Sequence, residues 1–279
     1  MSADAPGVGA DTPSIRVAGV TKRFGGVTAL KDVDADWTGP GIVGLIGPNG
    51  SGKSTLMGIL SGVIRPTSGS LVVDGETITR PTPRKLAKLG VGRTFQIARI
   101  ADNLRVWENL LIGGDAGLGG KARREFREFR QSAVMDLAVE AGIAPILDKW
   151  PKDITLADKK RIELVRAVAL RPRVLLLDEP TAGLSGHDAA EFLPLIHRAA
   201  QTALVVIVEH NMQMIGEIAP TCLALIDGEV VASGTPADVL ASETVRRAYI
   251  GIPASAAARS TSPSDTINPS DTADQEAAR

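Results

Sequence analysis

Gly47-Pro48-Asn49-Gly50-Ser51-Gly52-Lys53-Ser54 is the stretch on which the fold of this chain turns. An apolar run, Ile42–Gly47, leads into it. Leu56–Leu60 carries apolar residues out of it at helical spacing, until Gly62 and Pro66 stop the helix. Strand, glycine-rich loop and helix, in that order, satisfy the phosphate-binding loop pattern in sequence and in context. The chemistry asks for these residue types. Gly47, Gly50 and Gly52 let the backbone curl so that several N–H groups point at phosphate oxygens, at the positive end of a helix. Lys53 reaches β- and γ-phosphates, the Ser54 hydroxyl ligates Mg²⁺, and Thr55 is placed to hold an α-phosphate oxygen. The candidate nucleotide seat is the whole loop from Gly47 to Thr55, with Pro48, Asn49 and Ser51 included.

Such a loop specifies a nucleotide and nothing more. Val174-Leu175-Leu176-Leu177-Asp178-Glu179-Pro180 adds an apolar strand that ends in two acids. Ligands of parallel sheets gather at strand carboxyl ends, so Asp178 can deliver a carboxylate to Mg²⁺ beside the loop. Glu179 is then a candidate general base for an attacking water, against the plainer reading of a solvated loop acid. Glu209-His210 closes a second apolar strand, Ala203–Val208. A lone strand-end histidine is more often structural. At the same edge as Lys53 and Asp178, however, His210 can hydrogen-bond a γ-phosphate or orient water, and it is taken as catalytic.

Around these motifs lie 279 residues, 44% of them hydrophobic, enough for a full core. The formal charge of −1 argues against a nucleic-acid binder working through a broad basic face. The one cysteine, Cys222, excludes an internal disulfide framework and any cysteine-rich zinc module; a small buried filler is its expected role. No apolar run approaches the roughly 20 residues of a spanning helix, and the acidic N-terminus does not read as a signal peptide. Residues 1–13 and 254–279, poor in large apolar side chains, are expected to be disordered tails. Ile15–Val20 and the alternating Leu30, Val33, Ala35 and Trp37 read as early strands. Val174–Leu177 and Ala203–Val208 read as central parallel strands covered on both faces. The stretch of about 82–150 is charged and helical, with Phe126, Phe129, Ala133 and Leu137 on one expected helix face. Its run KARREFREFR (121–130) reads as a solvated amphipathic face.

The order of these parts, with Gly92-Arg93-Thr94-Phe95-Gln96 between loop and acids, resembles the ABC ATPases over about residues 15–253. Arg23-Phe-Gly-Gly26, Gly90–Gln96, Trp107-Glu-Asn-Leu-Leu111, Ala182-Gly-Leu184 and Val245–Gly251 look like the group serving branched-chain amino-acid and related polar amino-acid or amide importers. The resemblance implies an α/β fold: a P-loop NTPase core of mainly parallel sheet with flanking helices, an N-terminal antiparallel β part and a helical subdomain. The ATPase domain would span 14–253, its helical subdomain about 82–170. Phe24 matches the aromatic that stacks on adenine. Gln96 matches the residue that senses Mg²⁺ and water, and Ala182-Gly183-Leu184 the loop that contacts the opposite subunit. Arg93 and Trp107 carry no catalytic claim, and Trp107 is expected to pack.

One motif departs from the family. The Leu-Ser-Gly-Gly-Gln signature, which in the family faces the partner's nucleotide, falls at Ile154-Thr155-Leu156-Ala157-Asp158. Thr155 keeps a hydroxyl, but Leu156 and Ala157 put Cβ atoms where close backbone approach is wanted, and Asp158 replaces the glutamine. The resemblance implies ATP and Mg²⁺ as cofactors and separate transmembrane permeases as partners. It also implies a second ATPase subunit (a heterodimer, or alternatively a homodimer), an extracytoplasmic binding protein acting indirectly, and the cytoplasmic face of the membrane. Nucleic acid is not an expected partner. A soluble ABC-type ATPase acting on nucleic acid or ribosomes usually adds coiled coils, zinc modules or a second ATPase unit, none of which is legible here. A hydrolysis-poor regulatory subunit is suggested only by the altered signature. A GTPase is disfavoured because no Asn-Lys-x-Asp motif occurs.

Overall fold

The computed structural model describes residues 12–94, 98–112 and 134–250. Its strands are β1 (Ser14–Phe24), β2 (Val27–Thr38), β3 (Gly41–Ile46), β4 (Ser68–Val73), β5 (Glu76–Ile78), β6 (Val91–Arg93), β7 (Val174–Asp178), β8 (Leu204–Val208), β9 (Thr221–Ile226) and β10 (Glu229–Gly234). They form two sheets. An antiparallel one runs β2-β1-β4-β5, and a six-stranded one runs β10-β9-β3-β8-β7-β6. Within the second, β9, β3, β8, β7 and β6 are mutually parallel and only the edge strand β10 runs antiparallel. The mainly parallel core and the N-terminal antiparallel part are thus both present.

Alternation along the central strands explains the layering. In β3, Val43 and Leu45 join one apolar cluster while Ile42 and Ile46 join the other; in β7, Leu176 opposes Leu175 and Leu177 in the same way. The first cluster lies between the two sheets, where Ile15, Val17, Leu30, Val33, Trp37 and Leu71 meet the parallel sheet. It also encloses α1 (Lys53–Leu60) through Leu56, Met57, Ile59 and Leu60. The second cluster covers the opposite face of the parallel sheet with helices. Its helical members come from α3 (Val106–Leu111), the described part of α4 (134–140), α5 (Leu156–Ala169), α7 (Leu193–Ala200) and α8 (Met212–Ile218), with Val239 and Val245 added from two C-terminal helices. Cys222 is buried there, and burial pushes its thiol up to about 11. The remaining helices are α2 (Pro83–Lys88), α6 (Gly186–Ala190), α9 (Pro236–Ala241) and α10 (Glu243–Ile250).

Two expectations need correcting. The stretch of about 82–150 is not helical throughout, because Val91–Arg93 is a strand in register with Val174–Leu176 and belongs to the parallel sheet. Three residues are too short to display a strand period. Trp107 does not pack inside; it is 41% exposed on α3, whose Val106 and Leu110 take the buried side. Gln96, Phe126, Phe129, Ala133, the run 121–130 and the tails up to residue 11 and from 251 lie outside the described residues; Leu137 is buried.

Candidate functional site

The site forms at the carboxyl edge of the parallel sheet, because the register places the ends of three strands side by side. Leu45 of β3 pairs with Val208 of β8, and Val208 pairs with Asp178 of β7. The residues that follow each strand therefore emerge together: Gly47–Thr55 after β3, Glu179 after β7, and Glu209-His210 after β8. Sequence separation is erased by strand order.

The loop after β3 requires its glycines. Gly47 holds a φ of 154°, and a Cβ there would run into the Leu225 carbonyl and lie 2.6 Å from the Ser51 hydroxyl. Gly52 holds a φ of 105°, with a Cβ position 2.6 Å from the Ala29 carbonyl of β2. Lys53 is buried and folded back over the loop, its Nζ donating to the carbonyls of Gly47 at 2.7 Å and Pro48 at 2.9 Å. Desolvation lowers its pKa, and the nearby carboxylates of Glu179 and Asp178 oppose that shift. Ser54 is exposed at the start of α1 and Thr55 is half-buried. The Ser51 hydroxyl is buried without a hydrogen-bond partner in the protein. Asn49 and Gly50 lie at the exposed tip and Pro48 is half-buried. Phe24 ends β1, five residues before Ala29, whose carbonyl approaches Gly52. It is 48% exposed, with the Lys22 ammonium 4.7 Å from its ring centroid.

Asp178 is buried at the end of β7, and Arg93 Nη2 donates to its Oδ2 at 2.9 Å. Glu179 follows in a left-handed conformation, φ 49°, fixed by its N–H donating to the Val208 carbonyl at 2.9 Å. His210 Nε2 lies 2.6 Å from Glu179 Oε1, so the two candidates chosen separately from the sequence meet as a pair. Glu209, buried beside them, accepts from the N–H and hydroxyl of Thr181 at 2.9 and 2.7 Å, tying β8 to the segment after β7. Lys160 of α5 donates to the Glu179 carbonyl at 3.0 Å. Burial lowers the Lys160 pKa, against the pull of Glu209, Glu163 and Glu179.

The signature-like segment is a helix cap. Thr155 is the N-cap of α5; its Oγ1 accepts from the Asp158 N–H at 3.1 Å and donates to Asp158 Oδ2 at 2.8 Å, and its own N–H reaches the same carboxylate. Leu156 is exposed and Ala157 buried. Arg161 links this cap to Asp158, Asp188 and Glu191. Gly183 stands next to Leu156, the position of its absent Cβ 3.6 Å from Leu156 Cδ2.

Sequence reasoning assigned no role to Arg93, Glu209, Lys160 or Tyr249. The Tyr249 hydroxyl accepts a hydrogen bond from the Gly47 N–H, which joins α10 to the phosphate loop. The only sequence signal for Arg93, Glu209 and Tyr249 was their place inside the quoted segments, and Lys160 lay just beyond one of them.

With this geometry in hand, comparison with known proteins is specific. A family model described as ABC transporter matches residues 30–182. The chain is similar to the high-affinity branched-chain amino acid transport ATP-binding protein BraF of Pseudomonas aeruginosa, 32% identical over 251 residues, covering 86% of this chain and 98% of that protein. It is similar also to the ribose import ATP-binding protein RbsA 3 of Rubrobacter xylanophilus, 35% identical over 241 residues, though the chain spans only 48% of that relative. Among solved structures, a nucleotide-free ATP-binding cassette from an ABC transporter superposes with a TM-score of 0.75 at 25% identity, over 86% of this chain and all of that one. A dimeric post-hydrolysis cassette bound to ADP and Pi gives 0.68 at 25% identity, over 80% and 98%.

Proposed function

The chain belongs to the ABC transporter family as an ATP-hydrolysing importer subunit, and we propose that it powers uptake of branched-chain or related amino acids or amides through separate permeases. One observation carries the proposal: phosphate loop, strand-end carboxylate and Glu179–His210 pair converge at one sheet edge, in a chain that spans 98% of an amino-acid transport ATPase. The ribose relative supports a second cargo, but this chain spans about half of that protein.

In this reading the Gly47–Thr55 backbone and Lys53 hold the phosphates of ATP, and the orphaned Ser51 hydroxyl gains a phosphate partner. Phe24 offers its exposed ring to adenine. Lys53 first releases the two loop carbonyls it now binds and turns to the phosphates. The donor set suits Mg²⁺: Ser54 and Asp178 supply hard oxygens, too few to hold a cation alone and completed by the nucleotide's phosphates. Among the described residues no group of three or more His, Cys, Asp or Glu could bind a metal without them. Ser54 and Asp178 would hold Mg²⁺, which would supply charge neutralisation to the phosphates when bound. Glu179 takes the proton of the attacking water, and His210, in hydrogen-bond contact with it, fixes its orientation. Gln96 belongs to the same proposal.

No described helix is long and apolar enough to cross a membrane. In the proposed function, attachment to the cytoplasmic face is assigned to the permeases, and the binding protein acts only through them. A dimer with a second ATPase subunit completes each nucleotide site.

The test is uptake by proteoliposomes holding this chain with its permeases, partner ATPase and binding protein. ATP-dependent entry of labelled leucine, abolished by Lys53→Ala, is the expected result. Entry of ribose without leucine would overturn the amino-acid assignment, and uptake indifferent to Lys53→Ala would overturn the phosphate-loop assignment.

A further inference from the structure

We propose that Arg93 is a built-in counter-cation for the metal-binding carboxylate: it neutralises Asp178 when the nucleotide site is empty and competes with Mg²⁺ when it fills. The inference rests on the reading of Asp178 as the metal carboxylate and adds a residue to which that reading gives no role.

The seat of Arg93 is made by three elements. Its backbone lies on β6, in register with Leu176 of β7, so Asp178 stands two residues further along the neighbouring strand and on the same face. Its Nη2 donates to Asp178 Oδ2 at 2.9 Å. Its Nη1 donates to the Ser61 hydroxyl at 2.7 Å and approaches the Met57 carbonyl at 3.4 Å. Ser61 is the C-cap of α1, and its own hydroxyl donates to that same Met57 carbonyl at 2.8 Å. The guanidinium thus sits against the negative end of the helix whose other end forms the phosphate loop. Both partners of the pair are largely shielded, the Arg93 side chain 14% and the Asp178 side chain 8% exposed.

A buried carboxylate without a cation is costly, and a carboxylate shared by two cations holds each less tightly. Without Arg93, Asp178 in a nucleotide-free interval would have only the nearby charge of Lys53, whose ammonium is committed to the loop carbonyls of Gly47 and Pro48. Arg93 removes that cost and, by the same charge, weakens the hold of Asp178 on the metal. The pair occupies Oδ2, leaving Oδ1 outside it. Metal entry then draws the carboxylate away from Arg93, whose charge stays anchored on Ser61 and the end of α1. Arg93 is a positioning residue in this scheme, acting on the metal through Asp178.

The experiment titrates free Mg²⁺ against binding of a fluorescent ADP analogue, and records melting temperatures with and without Mg²⁺·ADP, for the full chain. Arg93→Gln is expected to lower the Mg²⁺ concentration at half-effect by on the order of tenfold, the scale of one charge-assisted hydrogen bond. The same variant should melt lower when empty and regain most of the difference with Mg²⁺·ADP. Arg93→Lys keeps the charge and should stay near wild type. Ser61→Ala, which removes one anchor of the guanidinium, should shift the Mg²⁺ dependence in the same direction by less, and it carries the test if Arg93→Gln does not fold. Equal loss of melting temperature in both states with an unchanged Mg²⁺ midpoint would reduce Arg93 to scaffold and overturn the proposal. A raised Mg²⁺ midpoint would overturn it too, making Arg93 a helper of the metal. If the wild-type chain bound ADP with no Mg²⁺ dependence at all, the metal reading of Asp178 would fall first and this inference with it.

Discussion

Glu179 and His210 show how few atoms separate binding from chemistry at this site. Glu179 sits in the left-handed region that non-glycine residues seldom occupy, held by its hydrogen bond to Val208, and its carboxylate meets His210 at 2.6 Å. Glu179→Gln keeps the shape and the backbone but removes the base. ATP binding is expected to persist in that variant, while hydrolysis in the assembled transporter falls by about 10²-fold or more, the scale of general-base catalysis. Single-turnover hydrolysis near the wild-type rate would take the role of base away from Glu179. The residues legible in the sequence were those whose chemistry is local. Lys53 and Ser54 sit in one loop, and Asp178 and Glu179 end one strand. Arg93, Glu209 and Lys160 were not legible, because each acquires its meaning from a partner brought near by strand register or helix packing. Tyr249 is the extreme case, 202 residues from the Gly47 N–H it accepts.

At the scale of elements, β6 and the start of α5 repay comparison with their sequences. β6 is three residues long and escaped a periodicity reading, yet it delivers Arg93 to the site. The start of α5 was read as a damaged signature, and its spacing also fits a second rule. Thr155-Leu156-Ala157-Asp158 is a capping box, hydroxyl to N–H one way and carboxylate to N–H the other. The hydroxyl that the sequence preserves is thus engaged in capping the start of a helix. Thr155→Ala removes both hydroxyl hydrogen bonds and is expected to cost about 1 kcal/mol of stability, the usual worth of such a cap. Thr155→Ser should recover most of it. Urea unfolding midpoints of the three proteins decide the matter, and an unchanged midpoint in Thr155→Ala would mean that the cap holds nothing.

At the scale of the whole molecule, the same segment bears on how two ATPase subunits divide their labour. In an ABC dimer each nucleotide lies between one subunit's phosphate loop and the other's signature, so the quality of a site depends on two chains. Under the proposed function this chain would offer an intact loop, Asp178 and the Glu179–His210 pair to its own nucleotide. Under the proposed dimer it would offer the partner's nucleotide Thr155, whose proton is directed to Asp158, an exposed Leu156 and a carboxylate in place of glutamine. Arg161 lies 3.4 Å from the other oxygen of Asp158, which blunts the repulsion of a phosphate without supplying a donor to it. Loss of a well-placed donor to developing charge slows enzymes by about 10²–10³, or roughly 3–4 kcal/mol. A homodimer would combine two good loops with two poor signatures and turn over slowly. With a second ATPase subunit carrying an intact signature, hydrolysis should rise steeply and take place at this chain's own loop. The measurement is the ATPase rate of this chain alone and then of the full permease complex, with the loop lysine of each ATPase subunit replaced in turn. Blocking Lys53 should abolish turnover, whereas blocking the partner's loop lysine should leave most of it. Equal losses from either replacement, or fast turnover by this chain alone, would make the Thr155–Asp158 cap a working signature and remove the asymmetry.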